Sequence, residues 1–458
     1  MATGGKILGE GYGAVFGEVV TDSGKVVKGS VFVALKGERF DGHDFLKEAV
    51  RRGASCLVVH KRPGVFQTKG TTVIQVPDTL KALGDLAHHR RKTVAPKVLA
   101  ITGSNGKTTT KEMVAAILER ASIQGRSLRG RVLKTEGNFN NLVGLPLTLL
   151  RLQGRERVAV LELGTSRPGE IRRLTEIADP DIGLITSVAP AHLEGLNSLA
   201  VIAREKGELF RGMNPAGLAV VNTDNPWVRR LGKKFQGQKI TYGRYGKVRG
   251  ESRRSLGARG TEFTLRAGGG RRRIRLRFSG EHNFSNAVGA AAMAYGLGVD
   301  LKAVRKGLEA VRPFPMRMAL ERWKGIGIIN DAYNANPASM EAALKTLAEI
   351  GGVRRKIAIL GDMLELGRES GKSHLELGKQ VARYGIDRLY LLGEQARRVR
   401  QGARLAGMER DRVAIGKNHL EIARMVRRQA RKGDWLLIKG SRGMKMEKVL
   451  EAIKKMGE

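Results

Sequence analysis

Cysteine is all but absent. Cys56 stands alone in 458 residues, so no intrachain disulfide can form, and a reducing, cytoplasmic setting is expected. Long apolar runs are missing too. No stretch reaches the ~18 apolar residues a membrane-spanning helix needs. The segment Met1 to Gly9 carries no apolar core of a secretory signal, so neither a membrane span nor export is expected. Aromatic residues amount to 5%, little material for stacking on nucleic-acid bases. Acidic residues are scarce beside basic ones, 44 against 83, giving a net charge of +39. Such a field attracts polyanions, yet the basic residues are spread along the chain rather than gathered in one tail. The densest run, RAGGGRRRIRLR at 266–277, reads as a hairpin turning on three glycines. Specific nucleic-acid binding is therefore not expected, and the charge fits an enzyme of anionic substrates.

The 41% of hydrophobic residues is enough for ordinary cores, and the length suggests three domains. The first, residues 1–93, holds short apolar runs such as VFVAL (31–35) and SCLVVH (55–60), and it ends in the polar stretch HHRRKTVAPK (88–97). The second, 94–312, alternates strands with helices: VLAIT (98–102), VAVLEL (158–163), IGLITSV (182–188) and LAVVN (218–222), closed by a helix at 281–298. That alternation predicts a mainly parallel sheet covered by helices. Prolines at 313 and 315 open the third domain, 313–458. Its strands GIGIIN (325–330), KIAILG (356–361), RLYLLG (388–393) and WLLIKG (435–440) predict a second, Rossmann-like doubly wound unit. The fold class expected is thus three α/β domains.

The strongest chemical signal is ITGSNGKTTTKEM (101–113), a buried strand, a glycine turn, Lys-Thr and then a helix. Gly103 and Gly106 allow a tight turn that presents N–H groups to phosphate oxygens, and the helix that follows points its positive end at the same place. Lys107 is expected to reach the terminal phosphates of a nucleotide, and the Thr108 hydroxyl to bind Mg²⁺. The common pattern wants a further glycine where Ile101 stands, so this is the compact G-x-x-G-K-T form. Residues LGEGYGAV (8–15) with VALK (33–36) imitate a protein-kinase nucleotide loop, but neither His-Arg-Asp nor Asp-Phe-Gly occurs anywhere, and Ala14 stands where the third glycine belongs. Magnesium needs hard oxygen ligands. Glu162, at the C-terminal end of its strand, is a candidate, because ligands bind at that edge of an α/β sheet. His192, after the strand IGLITSV, should lie along the same edge, with Lys206 on the helix that follows.

Taken in order, TDSGKVVKGSVFVALKGERFDGHDFLKEAVRRGAS (21–55), TGSNGKTT (102–109), TEGNFNNLVGLPLTLL (135–150), LELGTSRPGEI (161–171), AHLEGLNSLAVIAREKGELF (191–210), GEHNFSNA (280–287), NDAYNANPASM (330–340), LGDMLELG (360–367) and KGSRGMKMEKV (439–449) resemble the Mur ligase family over nearly the whole chain. The form NDAYNANP is similar to the branch that adds D-alanyl-D-alanine. The resemblance implies a cytoplasmic, ATP-dependent, ADP-forming ligase of peptidoglycan precursor synthesis. It would join D-alanyl-D-alanine to the carboxylate of a UDP-N-acetylmuramoyl-tripeptide through an acyl phosphate, and it is expected to act as a monomer. The resemblance further implies that Gly103, Ser104, Asn105, Gly106, Lys107, Thr108 and Thr109 hold ATP, with Asn283, Asn286, Arg317, Asp331 and Asn336 completing the nucleotide site. Glu162 would bind one Mg²⁺, and His192 a second together with a carbamylated Lys206. Lys107, Lys206, His192 and Arg317 would be catalytic. Ser23, Asn138, Asn140, Asn141 and Tyr333 would contact the organic substrates.

Two departures stand out. Gly24 follows Asp22-Ser23 where the family usually has arginine, and the chain starts near its first β segment without the family's longer helical lead. The rival readings are a sister ligase of the same superfamily, tripeptide-forming or folyl-polyglutamate-forming, and a nucleic-acid-dependent P-loop NTPase.

Overall fold

The computed structural model describes residues 2–9, 17–61, 70–191 and 193–456. Residues 10–16, most of the kinase-like pattern, and His192 lie outside the described residues. Three sheets organise the chain. The first has five strands in the spatial order Lys6–Gly9, Thr72–Gln75, Cys56–Val59, Val31–Val33, Val19–Val20, parallel except for its antiparallel edge strand Lys6–Gly9. Its central strands are buried on both faces, which is why VFVAL and SCLVVH read as unbroken apolar runs.

The polar stretch at 88–97 is helical as far as Val94, the second half of a helix, Thr79–Val94, capped at its start by the Asp78 carboxylate and stopped by Ala95 in the left-handed region. Its polar residues reach across to the second sheet. Arg91 is buried and donates to the carbonyl oxygens of Ala178 and Asp179 and to the Asp181 carboxylate. Arg90 donates twice to the Leu152 carbonyl. Side chains that look solvent-bound in sequence are therefore fasteners between domains.

The second sheet has six parallel strands, in the order Gln238–Tyr242, Leu218–Asn222, Ile182–Ile185, Lys97–Thr102, Val158–Glu162, Val132–Lys134. Helices Lys107–Leu118 and Glu281–Gly296 pack on one face. Helices Gly144–Leu150, Glu170–Ala178 and Leu199–Gly212 pack on the other. The run Ala290–Ala294 is fully buried, so the small residues of the closing helix let it lie close to the sheet. The basic run at 266–277 forms the expected hairpin: Thr261–Ala267 and Gly270–Leu276 pair antiparallel around Gly268-Gly269, and Arg249–Ser255 adds a third strand. Here Arg266 pairs with Glu251 and Arg273 with Glu262, so part of its charge is spent locally.

The third sheet also has six strands, Ala319–Trp323, Ile326–Asp331, Trp435–Lys439, Lys356–Gly361, Arg388–Leu392 and Val413–Ile415. All are parallel except the first, an antiparallel edge strand. The edge strands Ala319–Trp323, Val413–Ile415, Val132–Lys134 and Gln238–Tyr242 are short or polar and carry no strong apolar signal in the sequence. The chain is a three-domain α/β protein of mostly parallel sheets. Among the described residues no helix is long and apolar enough to cross a membrane.

Candidate active site

The strands Lys97–Thr102, Val158–Glu162 and Ile182–Ile185 end level with one another, because Ile101 pairs with Glu162 and Thr102 with Ile185. Above these C-terminal ends lies a cleft of about 620 Å³. One wall belongs to the second domain and the other to the third.

The glycine turn builds the floor. Gly103 sits at φ 146° and Gly106 at φ 82°. A Cβ on Gly103 would lie 1.9 Å from Thr186 Oγ1, and one on Gly106 would lie 2.2 Å from Asn286 Oδ1, so both positions require glycine for space as well as conformation. The turn is stapled to the segment after the third strand. Ser104 N–H donates to Ser187 O (2.8 Å), Ser104 Oγ to Ala189 O (2.8 Å) and Thr186 Oγ1 to Asn105 O (2.5 Å). These bonds fix the loop's open N–H groups at the start of helix Lys107–Leu118. Lys107 folds back to its own loop, donating from Nζ to Gly103 O at 2.8 Å. Burial lowers its pKa, Glu162 opposes that shift and the nearby Arg317 adds to it.

Glu162 is 2% exposed. Its Oε1 accepts from Asn140 Nδ2 at 2.8 Å, and its backbone N–H donates to Thr135 Oγ1 at 3.0 Å. Thr135 is held in turn by the buried Lys111, whose Nζ donates to Thr135 O at 2.6 Å. Glu162 Oε2 is buried and, among the described residues, accepts no hydrogen bond. A buried carboxylate oxygen without a donor is costly, and beside a phosphate loop it has the chemistry of a hard ligand for a divalent cation.

The opposite wall supplies cations. Asp331 and Lys439 end adjacent parallel strands in register, and Lys439 Nζ, 2% exposed, donates to Asp331 Oδ2 at 2.5 Å and to Asn334 O at 2.9 Å. Arg317 stacks over the Tyr333 ring, 3.8 Å from its centre. Asn336 joins the two walls. It caps helix Pro337–Ala348 through Oδ1, and its Nδ2 donates to Asn105 Oδ1 in the phosphate loop at 2.8 Å.

Of the residues singled out in the sequence, Ser104 through Thr109, Asn138, Asn140, Glu162, Asn283, Asn286, Arg317, Asp331, Tyr333 and Asn336 all line this cleft. Gly103 lies just beneath it. The remainder are placed elsewhere. Asn141 is exposed and its Oδ1 accepts the N–H groups of Val143 and Gly144, starting the helix that follows. Ser23 lies in the first domain and donates to Glu48 Oε2 at 3.1 Å. Asn283, although it lines the cleft, is 3% exposed and donates to Ser279 O, so part of its role is to hold its own helix start. Lys206 is 1% exposed and does not line the cleft. Burial pushes its pKa down to about 7, with Lys107 adding to the shift and Glu205 opposing it. Glu208, two residues on, pairs instead with Arg211.

Sequence reasoning passed over His282, Asn334, Lys439 and Arg442, which also line the cleft. His282 is held neutral, its pKa pushed down to about 4 by burial, against the pull of Asp331. All four fall inside quoted motifs, and that was the only signal available for them.

Comparison with known proteins agrees with this architecture. Models of the Mur ligase family match three stretches: its catalytic domain model at residues 16–91, the middle domain at 101–294 and the glutamate ligase domain at 316–442. The UDP-N-acetylmuramoyl-tripeptide–D-alanyl-D-alanine ligase of Escherichia coli is 36% identical over 445 residues, covering 96% of this chain and 94% of that protein. A crystal structure of MurF from Acinetobacter baumannii superposes with a TM-score of 0.88 at 32% identity, over 99% of this chain and 97% of that one. MurF ligase from Thermotoga maritima, solved in complex with ADP, gives 0.83 at 30% identity, over 96% and 97%. A phosphate loop facing a cation-bearing third domain, three α/β sheets in this order and full-length similarity lead to one conclusion: the chain belongs to the Mur ligase family.

Proposed function

We propose that this protein joins D-alanyl-D-alanine to the terminal carboxylate of a UDP-N-acetylmuramoyl-tripeptide, with ATP converted to ADP and phosphate. The observation that carries the reading is the cleft itself, with a phosphate loop and an unpartnered carboxylate oxygen on one wall and Arg317 and Lys439 on the other. The full-length similarity to ligases of that name supplies the substrates.

The chemistry follows from charge. A carboxylate does not condense with an amine in water, because its leaving group is poor. The tripeptide carboxylate therefore attacks the γ-phosphorus of ATP, the bond to the bridging oxygen breaks and ADP leaves. The dipeptide amine then attacks the acyl carbon, phosphate departs and the nitrogen loses its proton. The first step brings an anion up to an anion. Lys107 and Arg317 would offset that repulsion, and the loop N–H groups would hold the phosphates still. Magnesium fits the donor set: Glu162 and the Thr108 hydroxyl would hold it, and when bound it would neutralise phosphate charge. His192 would serve a second ion.

Lys206 we assign as a carbamate. An ammonium beside bound cations would be repelled and has no lone pair to offer. A buried lysine with a pKa near 7 keeps the neutral amine that CO₂ requires. The domain limits 1–93, 94–312 and 313–458 suit this division of labour, with the uridine handle bound by the first, ATP by the second and the incoming amine by the third.

Phosphate release tests the function. The expected result is steady release only when both the UDP-linked tripeptide and D-alanyl-D-alanine are present. Release at the full rate with neither substrate, or release stimulated by nucleic acid alone, overturns it.

A further inference from the structure

The third-domain wall of the cleft carries one arginine to which the phosphate chemistry gives no task. Arg442 follows strand Trp435–Lys439 on a short turn, Arg442–Met444. The other cations of the cleft are committed. Lys107 belongs to the phosphate loop, Arg317 lies over Tyr333 and close enough to Lys107 to shift its pKa, and Lys439 is buried against Asp331. The Arg442 side chain is 55% exposed and lines the cleft.

Its position is fixed from three sides. The Arg442 N–H donates to Asn334 Oδ1 (3.3 Å), and Asn334 is the residue whose carbonyl accepts from Lys439. Nη1 donates to Glu447 Oε1 at 2.9 Å. The same Nη1 lies 3.7 Å from Sδ of Met316, the neighbour of Arg317. The guanidinium thus sits on the same lip as the arginine that reaches towards the phosphates. Among the described residues only Nη1 is engaged, so the fork of Nε and Nη2 remains available. A guanidinium fork matches a carboxylate in two parallel hydrogen bonds. Glu447 holds Nη1 and leaves the opposite edge of the group free among the described residues.

We propose that Arg442 receives the C-terminal carboxylate of the incoming dipeptide. The assignment rests on the ligase function proposed above and adds to it how the acceptor is oriented. Two residues extended at ~3.3–3.6 Å each span about 7 Å. A dipeptide anchored by its carboxylate on this lip therefore presents its amine about that far into the cleft, towards the acyl phosphate, and its own carboxylate is kept away from the γ-phosphate. Such an anchor selects for a free acid at the acceptor's end, since an amide or ester would leave the fork without an anion.

The test compares D-alanyl-D-alanine with its C-terminal amide as acceptor, in the full-length enzyme and in Arg442→Gln and Arg442→Lys. Wild type should prefer the acid by about 10²-fold or more in kcat/KM. Arg442→Gln should lose about that factor on the acid and little on the amide, so that the preference collapses. KM for ATP and for the UDP-linked tripeptide should stay within roughly threefold, since neither touches the fork. Arg442→Lys should recover part of the acid preference, because it keeps the charge and loses the fork. An Arg442→Gln enzyme that still prefers the acid by the wild-type factor, or that loses equally on acid and amide, overturns the assignment. A wild-type enzyme that forms no product with either acceptor overturns the ligase reading instead, which makes the two failures distinguishable.

Discussion

Glu162→Gln should make the ligand-free protein more stable and the enzyme nearly inactive, two effects of opposite sign from a single atom. Glutamine keeps the length of the side chain, and its amide oxygen can still accept from Asn140 Nδ2, which lies 2.8 Å from Oε1 in the present structure. What changes is Oε2, a buried carboxylate oxygen with no donor. An unsatisfied buried polar group typically costs ~1–3 kcal/mol, more when charged. Removing the charge should return part of that, on the order of 1 kcal/mol, as a higher melting temperature without nucleotide. In the presence of Mg-ATP the balance reverses. At a ligand concentration about 100 times Kd the wild type gains ~2.7 kcal/mol by mass action, whereas the variant, lacking its cation ligand, should gain far less. In turnover, loss of one charge-stabilising group at a transferring phosphoryl typically costs ~10²–10³, or about 3–4 kcal/mol. Thermal unfolding with and without Mg-ATP, followed by phosphate-release kinetics, measures all three quantities. A variant whose nucleotide-free melting temperature falls by several degrees, or whose kcat/KM stays within threefold of wild type, would falsify the assignment of Oε2 as a cation ligand.

Five further outcomes are expected. Lys107→Ala should lose ~10² or more in kcat/KM with the fold intact, checked by circular dichroism beside kinetics; no other cation is placed to replace it in the loop. Gly106→Ala should abolish nucleotide binding in equilibrium titration, because its Cβ would lie 2.2 Å from Asn286 Oδ1 at a backbone φ of 82°. Lys206→Ala should be inactive and be rescued by short-chain carboxylates, while Lys206→Arg retaining most activity would show that a plain positive charge suffices. The pH sign follows from the same lysine: its pKa is lowered to about 7, so the neutral amine that takes up CO₂ is populated above that value. Bicarbonate-dependent reactivation of decarbamylated enzyme should accordingly speed up as pH rises through about 7, and a rate that falls over that range contradicts the carbamate. Nucleic acid should bind only weakly through the +39 charge and fade with added salt; nanomolar binding that survives salt contradicts this.

Much of the molecule is written in local pattern. The buried strands are continuous apolar runs because parallel sheets are covered on both faces, so they show in any window of the sequence. The phosphate loop is legible for a related reason. Gly103, Gly106, Lys107 and Thr108 lie within six residues of one another, and their conformational demands are local ones. Glu162 is legible once its strand is recognised, since strand polarity alone places it at the ligand-binding edge. The polar stretch at 88–97 shows in the sequence only as polar, because composition cannot tell a solvated arginine from one that donates to carbonyls of another domain, as Arg91 does.

Tertiary structure alone decided the rest. Asp331 and Lys439 are neighbours because two parallel strands far apart in sequence share a register, which no local signal encodes. Asn105 meets Asn336 only because the second and third domains face each other across the cleft. Sequence marks Asn141 and Asn140 alike, yet the fold turns one to accept the N–H groups that lead into a helix and the other to hold Glu162. Whether a polar side chain serves the reaction or the backbone depends on which unpaired groups the fold brings within about 3 Å of it, and that is a property of the assembled chain rather than of any segment.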